Sequence, residues 1–523
     1  MQTLKRTNLL LGDTIENLLR LTDRPLIFRV TTTFFATLLL TVSAGSRAQS
    51  TTALDLPQLG EPADLVLSPA QEQKLGNEVA AELYSGDYLV EDPEISDYIS
   101  SIGWRLAAKG AEAPTSFRFM VIGDPRINAF AVPGGLIGVN AGLLLAADNE
   151  SELAGVMGHE QAHVTQRHLA RTSNDTRTAN VATWLATIAA IIAGSANPDL
   201  ILGALAIGQS VNSQREVNYT RAHELEADRI GIRTMAEAGF DPEGMATFFA
   251  KLEQQSRLYG IGAPEFLRTH PVNTTRVSEA RQRAAQMPKV LNRKDSIEFA
   301  LMKARTQVVM SELPNDAVES FGQRVRSGDN SPAARYGYAY ALSKVGRTDD
   351  ALAALASVAM AMPRQANVNL LQADLLLAAK RSDEGRALLA KTVNLYPRYA
   401  PAVLAQAQAL LDANQPADAR QLLQSHDQAL GTRLETYRLL SEAARAQNNV
   451  AEAQFQIAQY SAKRGDLRGA LTQLDAGLRL SSINDQDRSR LIAMRQELIS
   501  RIPRNQLADL ARDPDRRLRS GLR

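Results

Sequence analysis

No cysteine occurs in the 523 residues of this chain. That absence removes disulfide staples, cysteine-ligated metal sites and a lipidated cysteine anchor together. It leaves the redox compartment open, because an oxidising space permits disulfides without requiring them. An excess of one charge sign is missing too. The 58 Lys and Arg stand against 57 Asp and Glu for a net charge of +1, and without a basic-aromatic stripe there is no footprint for nucleic acid. Aromatic residues make up only 5%, while Ala and Leu dominate the second half, a composition of packed helices. The length suits two or three domains.

Long hydrophobic runs are also absent. The stretch 30–44 follows Arg24 and Arg29 and precedes Ser46-Arg47-Ala48. It is shorter than the ~20 residues of a membrane-spanning helix. A positive flank, a short apolar core and small residues at −3 and −1 describe a secretory signal cleaved after Ala48. Two further apolar runs, 181–194 and 201–208, are split by Ser195-Ala196-Asn197-Pro198-Asp199. At ~1.5 Å per residue the longer reaches only ~21 Å, short of a ~30 Å hydrocarbon core. They read as buried helix or as a flap that makes peripheral membrane contact through 181–208. The expected organisation is a signal peptide at 1–48, a first folded domain at 49–295, a helical repeat array at 296–500 and a basic, solvated tail at 501–523.

Local signals punctuate the first folded part. Ser68, Pro69 and Gln71 form an N-cap, first-turn proline and capping box, and Asn149 with Glu152 forms another ahead of a helix whose core stripe is Leu153, Val156, Met157 and Val164. The stretch 117–122 is β-rich, and 127–132 and 136–139 make a hairpin turned by Pro133-Gly134-Gly135. From about residue 297, small residues recur at Ala317, Ala351, Gly385, Ala419 and Ala453, each 34 residues apart. Pro363 and Pro397 share that spacing. Period 34 with a small residue at a helix crossing marks tetratricopeptide (TPR) repeats. Gly465-Asp466-Leu467-Arg468-Gly469-Ala470 is itself a TPR-like turn, but lies half a repeat past Ala453, so an extra helix or a slip is expected there. A solenoid is energetically self-contained, so the segment before 297 is expected to fold alone. The fold class is therefore mostly α: an α+β domain followed by an α-helical TPR solenoid.

Histidine is scarce, six in all, and five lie at 159, 163, 168, 223 and 270. His159-Glu160-Gln161-Ala162-His163 reads H-E-x-x-H. On a helix the two imidazoles share one face at the spacing of two Zn²⁺ ligands, and Glu160 is placed to take a proton from a water the metal activates. A third ligand must come from elsewhere. His168 fails the metzincin pattern, since Gln166 and Leu169 stand where Gly and His are required. In Thr220-Arg221-Ala222-His223-Glu224-Leu225-Glu226-Ala227-Asp228, successive helical positions point apart, so only one of His223, Glu224 and Glu226 faces the metal. Asp228, four residues after Glu224, can accept the outer N–H of a liganding histidine while Glu224 binds zinc. The expected set is His159, His163 and Glu224 as ligands of one Zn²⁺, with Glu160 and Asp228 in catalysis, which makes the α+β domain at 49–295 a zincin-type zinc metallopeptidase domain.

H-E-x-x-H followed some sixty residues later by R-x-x-E-x-x-A-D resembles the gluzincin family that includes CAAX prenyl proteases and bacterial heat-shock membrane proteases. The resemblance puts the family's third ligand on Glu224 and its Asp on Asp228. It also matches Asn128, Ala129, Phe130, Ala131, Val132 and Pro133-Gly134-Gly135 to the hairpin beside the cleft, whose edge could pair with an extended substrate. Relatives with a signal peptide and a C-terminal TPR array carry a T-H-P-x-x-x-x-R segment, here Thr269-His270-Pro271 with Arg276. His270 is then a candidate fourth ligand that plugs the site at rest. An oxyanion donor and an ordinary loop histidine are its other readings. The resemblance implies an exported, periplasmic zinc metalloendopeptidase with a peripheral place at the outer membrane. It would clear misassembled or unfolded outer-membrane proteins, its TPR array recruiting the β-barrel assembly machinery. The alternative is a TPR chaperone or scaffold for outer-membrane protein assembly in which proteolysis is secondary.

Overall fold

The computed structural model describes residues 67–110, 116–173, 213–259, 264–288 and 296–502. The signal peptide, the apolar runs within 181–208 and the basic tail lie outside these residues. No described helix is long and apolar enough to cross a membrane.

The chain enters at α1 (Pro69–Ser85), whose capping box forms as the residues dictate. Ser68 Oγ accepts from the Gln71 N–H at 3.3 Å and Gln71 Oε1 accepts from the Ser68 N–H at 2.8 Å. Helix α2 (Pro93–Ala107) is capped by Asp92, whose Oδ1 accepts from the N–H groups of Glu94 and Ile95 at 3.1 Å. Three strands follow, β1 (Arg118–Ile122), β2 (Ala129–Val132) and β3 (Leu136–Asn140), in the order β1-β3-β2. β1 runs parallel to β3 and β2 antiparallel to it, so β2 lies at the sheet edge. The turn at Gly134 and Gly135 needs glycine twice over. Both residues have positive φ (84° and 85°), and a Cβ on Gly134 would sit 2.5 Å from the Glu72 carbonyl oxygen of α1.

After the short α3 (Ala141–Ala146) comes α4 (Glu150–Thr165), which carries H-E-x-x-H. Its cap is half of the expected box. Asn149 accepts from the Glu152 N–H at 2.9 Å, but the Glu152 carboxylate turns to the Asp148 N–H (2.8 Å) and to Lys251 (3.0 Å). The expected stripe of Leu153, Val156 and Met157 widens to the whole circumference: every residue from Glu150 to Ala162 is buried, while Val164 is half-buried. A helix buried all round needs neighbours on every side. α5 (His168–Ser173), α6 (Ser213–Glu237), α7 (Glu243–Tyr259), α8 (Glu265–Thr269) and α9 (Thr274–Gln286) complete this part, and α6 crosses α4 closely where Gly158 meets Gly231.

Helical pairs follow: α10 (Ile297–Val309) with α11 (Pro314–Arg326), α12 (Pro332–Lys344) with α13 (Thr348–Ala361), and α14 (Ala366–Ala378) with α15 (Ser382–Leu395). Next come α16 (Ala400–Asp412), α17 (Pro416–Ser425), the one-turn α18 (Asp427–Leu430), α19 (Leu434–Ala446), α20 (Val450–Lys463), α21 (Leu467–Leu478) and α22 (Asp485–Arg501). Ala317, Ala351, Gly385, Ala419 and Ala453 are all buried, as crossing positions must be. The residue that ends the first helix of successive pairs has positive φ: Gly346 (74°), Lys380 (62°), Asn414 (57°) and Asn448 (57°). This left-handed residue releases the helix and starts the turn.

Two expectations are corrected here. The phase does not slip after Ala419: first helices start at 400 and 434, second helices at 416 and 450. The Gly465 turn is of the other kind, leading from a second helix into the next first helix, α21. The sole irregularity is α18, inserted after a shortened α17. Nor is the solenoid self-contained. One hydrophobic core runs from Val90 and Ile95 through Leu153, Phe249 and Leu301 to Tyr336 and Leu371. Buried polar groups cross the same boundary, with Arg305 contacting Asp92 and Glu94, and Asn367 contacting Glu94.

Candidate metal centre

Four side chains from three chain segments converge beside the sheet. His159 and His163 sit one turn apart on α4, Glu224 comes from α6, and His270 follows α8. One ligand atom from each lies within 4.8 Å of the others. The two Nε2 atoms of His159 and His163 are 3.0 Å apart, and each is 3.4 Å from a Glu224 oxygen. His270 Nδ1 stands 3.1 Å from Glu224 Oε1 and 3.3 Å from His159 Nε2.

The outer edges of the two helical imidazoles are anchored. His159 Nδ1 is 2.8 Å from Asp228 Oδ1, and His163 Nδ1 is 2.9 Å from His168 Nδ1. With a proton on each Nδ1, both Nε2 atoms present bare lone pairs toward each other and toward a carboxylate. Such a group of acceptors repels itself until a cation lies between its members, and two imidazoles with a carboxylate are the donor set of a catalytic zinc site. The residues fit the metal.

Arg276 of α9 binds the site from behind. Its Nε and one NH₂ group donate to Asp228 at 2.8 Å, the other reaches Glu224 Oε2 at 2.8 Å and the Pro271 carbonyl at 2.9 Å. One guanidinium thus fixes the Glu224 carboxylate, the Asp228 carboxylate and the His270 loop. Glu160 is fully buried, and neither of its carboxyl oxygens has a hydrogen-bond partner among the described residues; His270 Nε2 lies 3.4 Å from Oε1.

The sequence profile of Peptidase family M48 matches residues 93–284. The Beta-barrel assembly-enhancing protease of Escherichia coli (strain K12) is 36% identical over 330 residues, covering 62% of this chain and 67% of that protein. The chain belongs to peptidase family M48. The protein of the same name from Yersinia pestis is 35% identical over 325 residues, 61% of this chain and 66% of its own. Mitochondrial metalloendopeptidase OMA1 of Arabidopsis thaliana is 34% identical over 158 residues, 30% of this chain and 29% of its own. Among solved structures, a thermophilic TPR protein of Thermus thermophilus shares 17% identity and covers 38% of this chain and 98% of its own, at a TM-score of 0.23. As an M48 peptidase with this cluster, the protein is a zinc-dependent metalloendopeptidase.

Electrostatics in the M48 site separates its carboxylates. Burial raises the Glu160 pKa, only partly offset by His270 and His159. Burial would raise Glu224 as well, but His270, His163 and His159 win and hold it well below the usual carboxylate range. Asp228 is lowered likewise, its burial outweighed by Arg276 and His159. Burial thus disfavours the charged form of Glu160, while the neighbouring imidazoles and Arg276 favour that of Glu224 and Asp228.

Of the candidates weighed from sequence, the structure brings together His159, His163, Glu224 and His270, with Glu160 and Asp228 against them. It does not bring in His223, whose ring stacks on His168 (centroids 4.2 Å apart), or Glu226, which faces His168 and Arg171. The His270 ring lies against Phe266 (4.9 Å) and inside the cluster. Sequence reasoning assigned no role to Arg276, although the T-H-P-x-x-x-x-R spacing was its signal. Phe266 carried no signal.

Proposed function

We propose that this peptidase is exported to the periplasm and cleaves misassembled or unfolded outer-membrane proteins, with the helical repeats recruiting the β-barrel assembly machinery. The observation that carries this reading is the 36% identity over 330 residues with the Beta-barrel assembly-enhancing protease, a match longer than the catalytic segment alone.

In this reading His159, His163 and Glu224 hold one zinc per chain, oriented by Asp228 and Arg276. Zinc, when bound, supplies a Lewis acid that polarises the scissile carbonyl and acidifies water. Glu160, buried and without a hydrogen-bond donor among the described residues, takes a proton on a carboxyl oxygen and returns it to the leaving amine. Asn128 and the edge strand β2 that follows it (Ala129, Phe130, Ala131 and Val132) align an extended substrate through backbone hydrogen bonds, which tolerates many sequences. His270 closes the ligand group at rest as a fourth ligand and must withdraw before a peptide enters. Its position 3.1 Å from Glu224 and 3.3 Å from His159 supports that role over oxyanion donation, which needs space between the imidazole and the metal.

The test is the Glu160→Gln protein. It should bind about one zinc per chain, cleave no casein, and capture outer-membrane proteins with assembly components from envelope extract. Loss of zinc would overturn the assignment of Glu160 as base. Full assembly support in cells by the inactive protein would replace the proteolytic reading with the scaffold one.

A further inference from the structure

His168 lies outside the converging ligands, yet it is buried and touches one of them. Its placement is built, not incidental. Helix α4 ends at Thr165, and Arg167 adopts φ 50°, the left-handed conformation that turns the chain sharply. That conformation is uncommon for a non-glycine residue. Here the Arg167 guanidinium is tied to Glu72 Oε1 at 3.0 Å and to the Leu67 carbonyl at 2.6 Å. The turn folds His168, the first residue of α5, back over His163. The two Nδ1 atoms meet at 2.9 Å, and His168 Nε2 lies 3.2 Å from Glu226 Oε2. Arg171 Nη1 holds that same oxygen at 3.1 Å, and the His223 ring stacks flat on His168 with an interplanar angle of 6°.

A neutral His168 ring allows one direction for these hydrogen bonds. Glu226 can only accept, so His168 carries its proton on Nε2 and leaves Nδ1 as an acceptor. His163 must then donate from Nδ1, which frees its Nε2 for the cluster. We propose that His168 is a positioning residue for the metal: it accepts the His163 Nδ1–H, and so fixes the tautomer and ring plane of that ligand. Glu226 and Arg171 lock His168 in the accepting form. The two histidine ligands are therefore supported differently. His159 leans directly on a carboxylate, Asp228, whereas His163 leans on a neutral imidazole with its carboxylate one residue further out.

This inference rests on the zinc-site reading above and deepens it. The full-length chain is stripped of metal, and zinc affinity is measured by competition with a chromophoric chelator. The cobalt-substituted protein is followed by its d–d absorption. In His168→Asn the amide oxygen can occupy the place of Nδ1, so affinity should stay within about threefold of the unaltered chain and the cobalt spectrum should be unchanged. In His168→Gln the amide lies too far out to serve His163, and in His168→Leu there is no acceptor. Both should lose affinity about 10- to 100-fold, as removal of such outer partners does elsewhere, with an altered cobalt spectrum. Equal losses in His168→Asn and His168→Gln would reduce His168 to packing, and no loss in either would remove its role. Both outcomes overturn the proposal. If His168→Leu fails to fold, the two amides alone decide. An unaltered chain that binds no metal overturns the zinc site itself, a failure distinct from an unaltered chain that binds metal while the variants show no order.

Discussion

Arg305 and Asp92 are 213 residues apart in sequence, and the Arg305 Nε lies 2.8 Å from Asp92 Oδ2 and 2.9 Å from Oδ1. Asp92 is at the same time the N-cap of α2, and Arg305 also reaches Glu94 Oε1 at 2.7 Å and the Tyr336 hydroxyl at 3.0 Å. Tyr340 donates to Asp92 at 3.0 Å, and Asn367 and Tyr399 donate to Glu94 at 2.8 and 3.2 Å. Arg305, Tyr340, Asn367 and Tyr399 thus all bear on the N-terminal end of α2, and Tyr336 holds Arg305 from behind.

Removing the guanidinium strands two buried carboxylates without a counterion. Arg305→Met should cost about 3–5 kcal/mol of stability, the scale of breaking a buried ion pair from one side. Denaturant unfolding followed by helicity and by zinc release should shift together. If only the helicity signal moves, the two parts do not share a core. By the same argument, a fragment ending before 297 should be insoluble.

Ligand roles separate by metal content. Glu224→Ala should strip zinc, while His223→Ala and Glu226→Ala should retain stoichiometric metal. Asp228→Asn should fall between, about 10- to 100-fold weaker in affinity. Metal analysis after dialysis reads all four, and a metal-free His223→Ala protein would reverse the assignment of the third ligand.

Closure of the site by His270 has its own signature. His270→Ala should raise basal casein cleavage and self-cleavage severalfold with zinc content unchanged. Lower turnover at the same zinc content would instead make His270 an oxyanion donor.

Stability should also depend on pH through Glu298. Burial, then Asp97 and Glu150, raise its pKa to about 7 from the ordinary 4.5, with Arg105 opposing. A raised carboxyl binds more protons folded than unfolded between those values, so its contribution favours the fold at pH 5 and is lost as pH rises through about 7. Glu298→Gln should raise Tm at pH 8 by a few degrees relative to the unaltered chain, and by less at pH 5. An equal shift at both pH values would show that Glu298 does not titrate in this window.

What the residues determine by themselves is short-range. The spacing of His159 and His163 puts them on one helical face, Pro133-Gly134-Gly135 makes a hairpin turn, and the step from Ala317 to Ala453 sets the repeat. Each follows from 3.6 residues per turn or from a local φ preference, and needs no distant partner. Tertiary structure decided what those rules leave open. On α6, Glu224 rather than His223 meets His159 and His163, and that helix packs closely onto α4 where Gly158 meets Gly231. His270 enters the cluster 111 residues from His159 because Arg276 fastens its loop. His168, set aside on spacing alone, comes within 2.9 Å of His163 Nδ1 because Arg167 reverses the chain. The solenoid joins the catalytic core because Arg305 finds Asp92, and a repeat period carries no information about which surface its helices will meet.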